Sequence, residues 1–129
     1  MTIKNDITLP TTSTATFAVK GDIIVTEDVG ESILSSTTTS IDGFYSAGGN
    51  FIVRGINDCA ISPDLRLNIG GTVVANANLK GGGLDLRRDL CGSNKDFPTL
   101  YFAERLDLIL NAPRLIKIKR SVAKEVAPK

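Results

Sequence analysis

The feature that most constrains this chain is a set of short runs in which apolar and polar residues alternate, each closed by glycine or another turn former. In Asp64-Leu65-Arg66-Leu67-Asn68-Ile69 the three apolar side chains share one face and Arg66 and Asn68 the other, the two-residue period of a half-buried strand. The same period recurs at Ala15-Phe17-Val19, at Val73-Ala75-Ala77-Leu79, at Leu84-Asp85-Leu86-Arg87 and at Ile116-Lys117-Ile118-Lys119. Gly21-Asp22, Asp42-Gly43, Ala47-Gly48-Gly49, Gly70-Gly71 and Lys80-Gly81-Gly82-Gly83 separate these pieces and read as turns.

Such a pattern predicts an all-β fold, a small antiparallel sandwich or barrel with extended polar termini. A stack of β-coils is the alternative, because 64–70, 83–87 and 105–111 resemble one another at a spacing of about twenty residues. Residues 1–13 read as a polar arm, 14–121 as one β-rich domain and 122–129 as a basic tail. The stretch 97–111 carries both periods. Phe102, Leu106, Ile109 and Leu110 fit a helix, whereas Leu106, Leu108 and Leu110 alternate, and the neighbouring runs tilt 105–111 towards strand.

Chemistry is constrained mainly by what the chain lacks. It has no histidine, the commonest general base near neutral pH and the commonest transition-metal ligand. Asp58 with Asp64 and Asp85 with Asp89 are the candidate carboxylate pairs, but their places in turns and on a polar face fit local bonding better than glycoside chemistry. No spacing resembles a calcium loop or a phosphate cradle, so the expectation is no enzyme, no metal and no cofactor. Cys59 and Cys91 can close one loop. With a polar start at Met1–Asp6 in place of a secretory leader, two free, buried thiols are the expected state. That start places the protein in a virion or the cytoplasm, unless a leader preceded this numbering.

Charge is uneven: residues 1–111 hold 9 Lys and Arg against 13 Asp and Glu, and residues 112–129 hold 6 against 1. Arg114, Lys117, Lys119, Arg120 and Lys124 are therefore the candidates for contact with phosphates or an acidic partner. With no Trp and two Tyr, base stacking has few platforms and nucleic acid is a minor expectation. No run reaches the ~20 apolar residues of a membrane-spanning helix.

These exclusions lead to a structural or assembly subunit, a homo-oligomer or the neighbour of other structural subunits, in the style of a small phage-like coat or capsid-stabilising cement protein. A second reading is a monomeric sandwich that binds a glycan or peptide through loops 42–50 and 80–83, with Phe44 and Tyr45 as the anchor unless those rings pack inward.

Overall fold

The computed structural model describes residues 1–77 and 81–112. Eight strands follow one another: β1 (Thr2–Ile3), β2 (Thr16–Val19), β3 (Ile23–Val25), β4 (Ile41–Ala47), β5 (Phe51–Val53), β6 (Leu67–Val74), β7 (Leu84–Leu86) and β8 (Leu100–Ala103). A 3₁₀ turn, Cys91–Lys95, precedes β8, and a short helix, α1 (Leu106–Leu110), follows it. The odd strands form one sheet in the order β1-β3-β5-β7 and the even strands a second in the order β2-β4-β6-β8. Every strand pairing in both sheets is parallel. The chain crosses from one sheet to the other and back, and each circuit lays a new coil on the last.

This overturns the antiparallel sandwich or barrel. Alternation reports which face a side chain takes and is blind to strand direction; the antiparallel reading rested on glycines taken as hairpin turns. Gly70 and Gly71 instead lie inside β6, and Asp42 and Gly43 inside β4. Gly43 and Gly71 are register partners with φ of 136° and 133°, so the same backbone excursion is stacked in two successive coils. A Cβ on Gly71 would collide with the Gly43 carbonyl oxygen. Gly71→Ala is expected to lower unfolding free energy by about 2 kcal/mol, read from the denaturant midpoint; an unchanged midpoint would show that the strands can part there without penalty.

The repeat is also longer than the spacing read from the sequence, and a polar ladder at one corner measures it. The Asn50 N–H donates to Asp22 Oδ1, 28 residues earlier in the chain, at 2.7 Å. The Gly83 N–H in turn donates to Asn50 Oδ1, 33 residues earlier, at 3.1 Å. The strand pairs Thr16↔Phe44, Ile23↔Phe51 and Ile41↔Ile69 share the shorter offset, and Phe51↔Leu84 and Leu67↔Leu100 the longer one. The look-alike stretches 64–70 and 83–87 feed different sheets, and 105–111 is largely α1. The lean towards strand there fails because α1 turns one residue inward, Leu108, which is fully buried, while Leu106, Ile109 and Leu110 stay exposed.

The core lies between the sheets. Ile23, Val25, Phe51 and Val53 from the first sheet face Ile41, Tyr45, Leu67 and Ile69 from the second, all buried. Tyr45 stacks on Phe17 at 5.1 Å between ring centroids and meets Phe51 edge-on at 6.1 Å, which ties adjacent coils and opposite sheets together. The first thirteen residues are no free arm. β1 pairs with β3, Ile3 is 4% exposed, and Ile7 bridges to Ile41, so this stretch begins the stack.

Candidate functional site

The polar groups buried in the stack serve mainly as ties between coils. Arg88 is buried and donates to four carbonyl oxygens, those of Arg54, Leu65, Thr26 and Val29, at 2.7–2.9 Å. Burial pulls its guanidinium down to about 10, against the opposing pull of the Asp64 and Glu27 charges, so it stays protonated at neutral pH. Nearby, the Asp64 carboxylate accepts the backbone N–H groups of Ile56 (2.7 Å), Asn57 (3.3 Å) and Asp89 (2.8 Å). A carboxylate held by three backbone donors from two loops is a structural clamp.

Asp58 bonds the Ala60 N–H within its own turn, Asp89 accepts the Cys91 N–H, and Asp85 pairs with Arg87 at 2.6 Å. The Arg87 hydrogen bond holds the Asp85 carboxyl below the usual range. The four carboxylates singled out from the sequence are thus each occupied locally.

Asp42 and Arg105 make a second tie, on the side of the second sheet away from the core. The Asp42 side chain is fully buried, and its Oδ2 accepts the Leu9 N–H and meets Arg105 Nη1, each at 2.9 Å. Arg105 also grips Asp107 through Nε and Nη2 at 2.8 and 2.7 Å and donates to the Leu9 carbonyl at 3.2 Å. The Tyr45 hydroxyl donates to the Asp42 carbonyl at 2.9 Å; burial, then the Asp42 charge, pushes its ionisation well above the ordinary range. Neither Arg88 nor Arg105 stood out in the sequence, where each sits among other charged residues. Only the stacking of coils gives them buried acceptors.

Cys59 and Cys91 are joined in a disulfide, with Cα atoms 5.8 Å apart, which corrects the expectation of free thiols. Their distance in sequence hid a simple relation: they lie six and five residues beyond Val53 and Leu86, which are register partners in β5 and β7. Asp89 lies beside them, and the two sulfurs and its carboxylate fall within 4.8 Å of one another. Sulfurs bonded to each other supply no thiolate, so in this state the trio is not a zinc set.

Phe44 and Tyr45, offered as a loop anchor, lie in β4, and Tyr45 is 1% exposed. The loop supposed to span 42–50 is reduced to the turn after Ala47, and of 80–83 residue 80 is outside the described residues. Arg114, Lys117, Lys119, Arg120 and Lys124 are outside them too.

What the sequence did not single out is the end of the stack. Among the described residues β7 and β8 are edge strands, and apolar side chains that would be core in an earlier coil stand in solvent there: Leu84, Leu86 and Phe102 are 47%, 43% and 46% exposed. Phe102 is the register partner of Ile69, itself the partner of Ile41, and both isoleucines are fully buried. Just beyond, Leu106 and Ile109 of α1 are more than half exposed.

The chain matches no protein-family model, no curated protein and no solved structure. Among the described residues no helix is long and apolar enough to cross a membrane.

Proposed function

We propose that this protein is a non-enzymatic structural subunit that assembles with copies of itself or with neighbouring structural subunits, as a small coat or capsid-stabilising cement protein of a virion does. The observation that carries the reading is the end of the second sheet, where the edge strand β8 and the helix after it bring Phe102, Leu106 and Ile109 to the surface in one short stretch of chain. An edge strand flanked by apolar side chains is a template for another chain, and burying those three side chains against a neighbour is worth several kcal/mol at ~25 cal/mol per Å². The polar interior supports the same role, since Arg88, Asp64 and Arg105 spend their bonds holding coils together. The Cys59–Cys91 disulfide fits a setting outside a reducing cytosol, such as a particle surface.

The test is native mass by light scattering over a concentration series, with the 13.7 kDa monomer as reference. Assembly is expected to rise with concentration, and Phe102→Asp with Leu106→Asp is expected to abolish it while leaving the far-ultraviolet circular dichroism unchanged. A monomer at every concentration, which also fails to coat or stabilise a particle lattice, would sink the reading.

A further inference from the structure

The corner that carries Cys59 and Cys91 has ties that do not depend on the bond between them. Asp64 accepts the N–H groups of Ile56 and Asn57 from the first loop and of Asp89 from the second, and Arg88 Nε donates to the Arg54 carbonyl at 2.9 Å. Asp89 is fixed in turn. Its Oδ1 accepts the Cys91 N–H at 2.6 Å and the Asn94 side-chain amide, and Asn94 Oδ1 accepts the Leu90 N–H at 2.9 Å, so the 3₁₀ turn that Cys91 opens holds the carboxylate. Among the described residues Asp89 Oδ2 accepts no hydrogen bond.

We propose that reduction of the disulfide turns this corner into a zinc site, its ligands the Cys59 and Cys91 thiolates and the Asp89 carboxylate. The two sulfurs and a carboxylate oxygen already lie within 4.8 Å of one another. Around a tetrahedral zinc, with bonds of about 2.3 Å to sulfur and about 2.1 Å to oxygen, donor atoms stand roughly 3.5–3.8 Å apart. Sulfurs on Cα atoms 5.8 Å apart reach that spacing by turning about their Cα–Cβ bonds. Two thiolates favour zinc over calcium or magnesium, which take oxygen ligands. The chain has no histidine and no third cysteine, so the fourth position falls to water.

Cys59 is exposed and Cys91 half-buried, which leaves the bond within reach of a small dithiol. One thiolate of that reductant attacks a disulfide sulfur, its second closes into a cyclic disulfide, and both cysteines are released carrying the electron pair and protons. Zn²⁺ then displaces the two thiol protons to solvent. Under reducing conditions the two coils stay crosslinked through the ion. This inference goes beyond the assembly reading and uses none of the residues that carry it, so either can fail alone.

The test is a titration of the full-length protein, reduced with a phosphine, with Co²⁺, whose thiolate charge-transfer bands report its ligands. Expected is one ion per chain, displaced by Zn²⁺, in a protein whose far-ultraviolet circular dichroism is native. The oxidised protein and the double variant Cys59→Ser with Cys91→Ser should show no such bands. Zinc should raise the thermal midpoint of the reduced protein and leave that of the oxidised protein unmoved. Asp89→Asn keeps an oxygen to accept the Cys91 N–H and removes the charge; it should weaken zinc by a factor on the order of 10 or more. Phe102→Asp with Leu106→Asp should bind cobalt as the wild type does. Reduced protein that takes up no cobalt would overturn the proposal, as would one ion per two chains. Wild-type affinity in Asp89→Asn would overturn the ligand set.

Discussion

Replacing Arg105 by methionine is expected to lower the free energy of unfolding by about 3 kcal/mol, the lower end of what breaking a buried ion pair removes. Asp42 has no side-chain exposure, and its Oδ1 has no hydrogen-bond partner among the described residues, so Arg105 Nη1 at 2.9 Å is the charge that balances it. Methionine keeps much of the aliphatic stem and leaves the carboxylate with only the Leu9 N–H. The lower end applies because 19% of the Arg105 side chain remains in solvent, where water screens part of the attraction. Asp107 is the control. Its hydrogen bond is the largest influence holding Arg105 protonated beyond the ordinary range, yet its own side chain is 24% exposed, so water can take over the carboxylate's and guanidinium's bonds in a way it cannot for Asp42. Asp107→Asn should therefore change urea-induced unfolding far less than Arg105→Met does. The double variant Asp42→Asn with Arg105→Met should recover part of the loss, since removing both charges leaves none stranded. Equal effects from Arg105→Met and Asp107→Asn would mean that the buried pair contributes nothing special.

How far the fold was legible follows from what alternation encodes. Phe17 and Val19 share one face in the sequence pattern and do pack on the core, as do Leu67 and Ile69. Direction is not encoded in those positions. A parallel pair needs its partner a full circuit away, and the sign of a circuit was present as Ile23-Ile24-Val25 answered one coil later by Phe51-Ile52-Val53. It was masked because the coils differ in length, 28 residues from Asp22 to Asn50 and then 33 from Asn50 to Gly83, so no fixed period spans the chain. The glycines misled for a physical reason: Gly43 and Gly71 have the positive φ of a turn residue but use it inside a strand. The buried ties were less legible still. Arg88 follows Arg87 in the sequence, and although the alternation of Leu84-Asp85-Leu86-Arg87 carried one step on puts Arg88 on the apolar face, nothing local shows the four carbonyl oxygens that make an arginine tolerable there. The open end could not be read at all, because Leu84 and Leu86 have the pattern of core residues and only the count of coils shows that nothing described covers them.

The largest loss is expected from the double variant Cys59→Ser with Cys91→Ser, about 4 kcal/mol by loop entropy, since the bridge spans 32 residues and restrains that loop in the unfolded chain. The loop it closes holds β6 and β7, one strand from each sheet, so the crosslink limits the unfolded separation of strands that the fold must bring into adjacent coils. Part of the native geometry persists without it, because Asp64 binds the Ile56, Asn57 and Asp89 amides on both sides of the bridge. The two loops should stay docked, and the effect should appear as a fall in the thermal midpoint of an otherwise native spectrum. Adding a dithiol reductant to the wild-type protein should lower the midpoint by the same amount and leave the double-serine variant unmoved. A wild-type midpoint indifferent to reductant, with two thiols titrated in the denatured chain beforehand, would mean that the cysteines are not bonded in the protein as made. The stack would then depend on Arg88 and Asp64 alone to hold those two coils together at that corner.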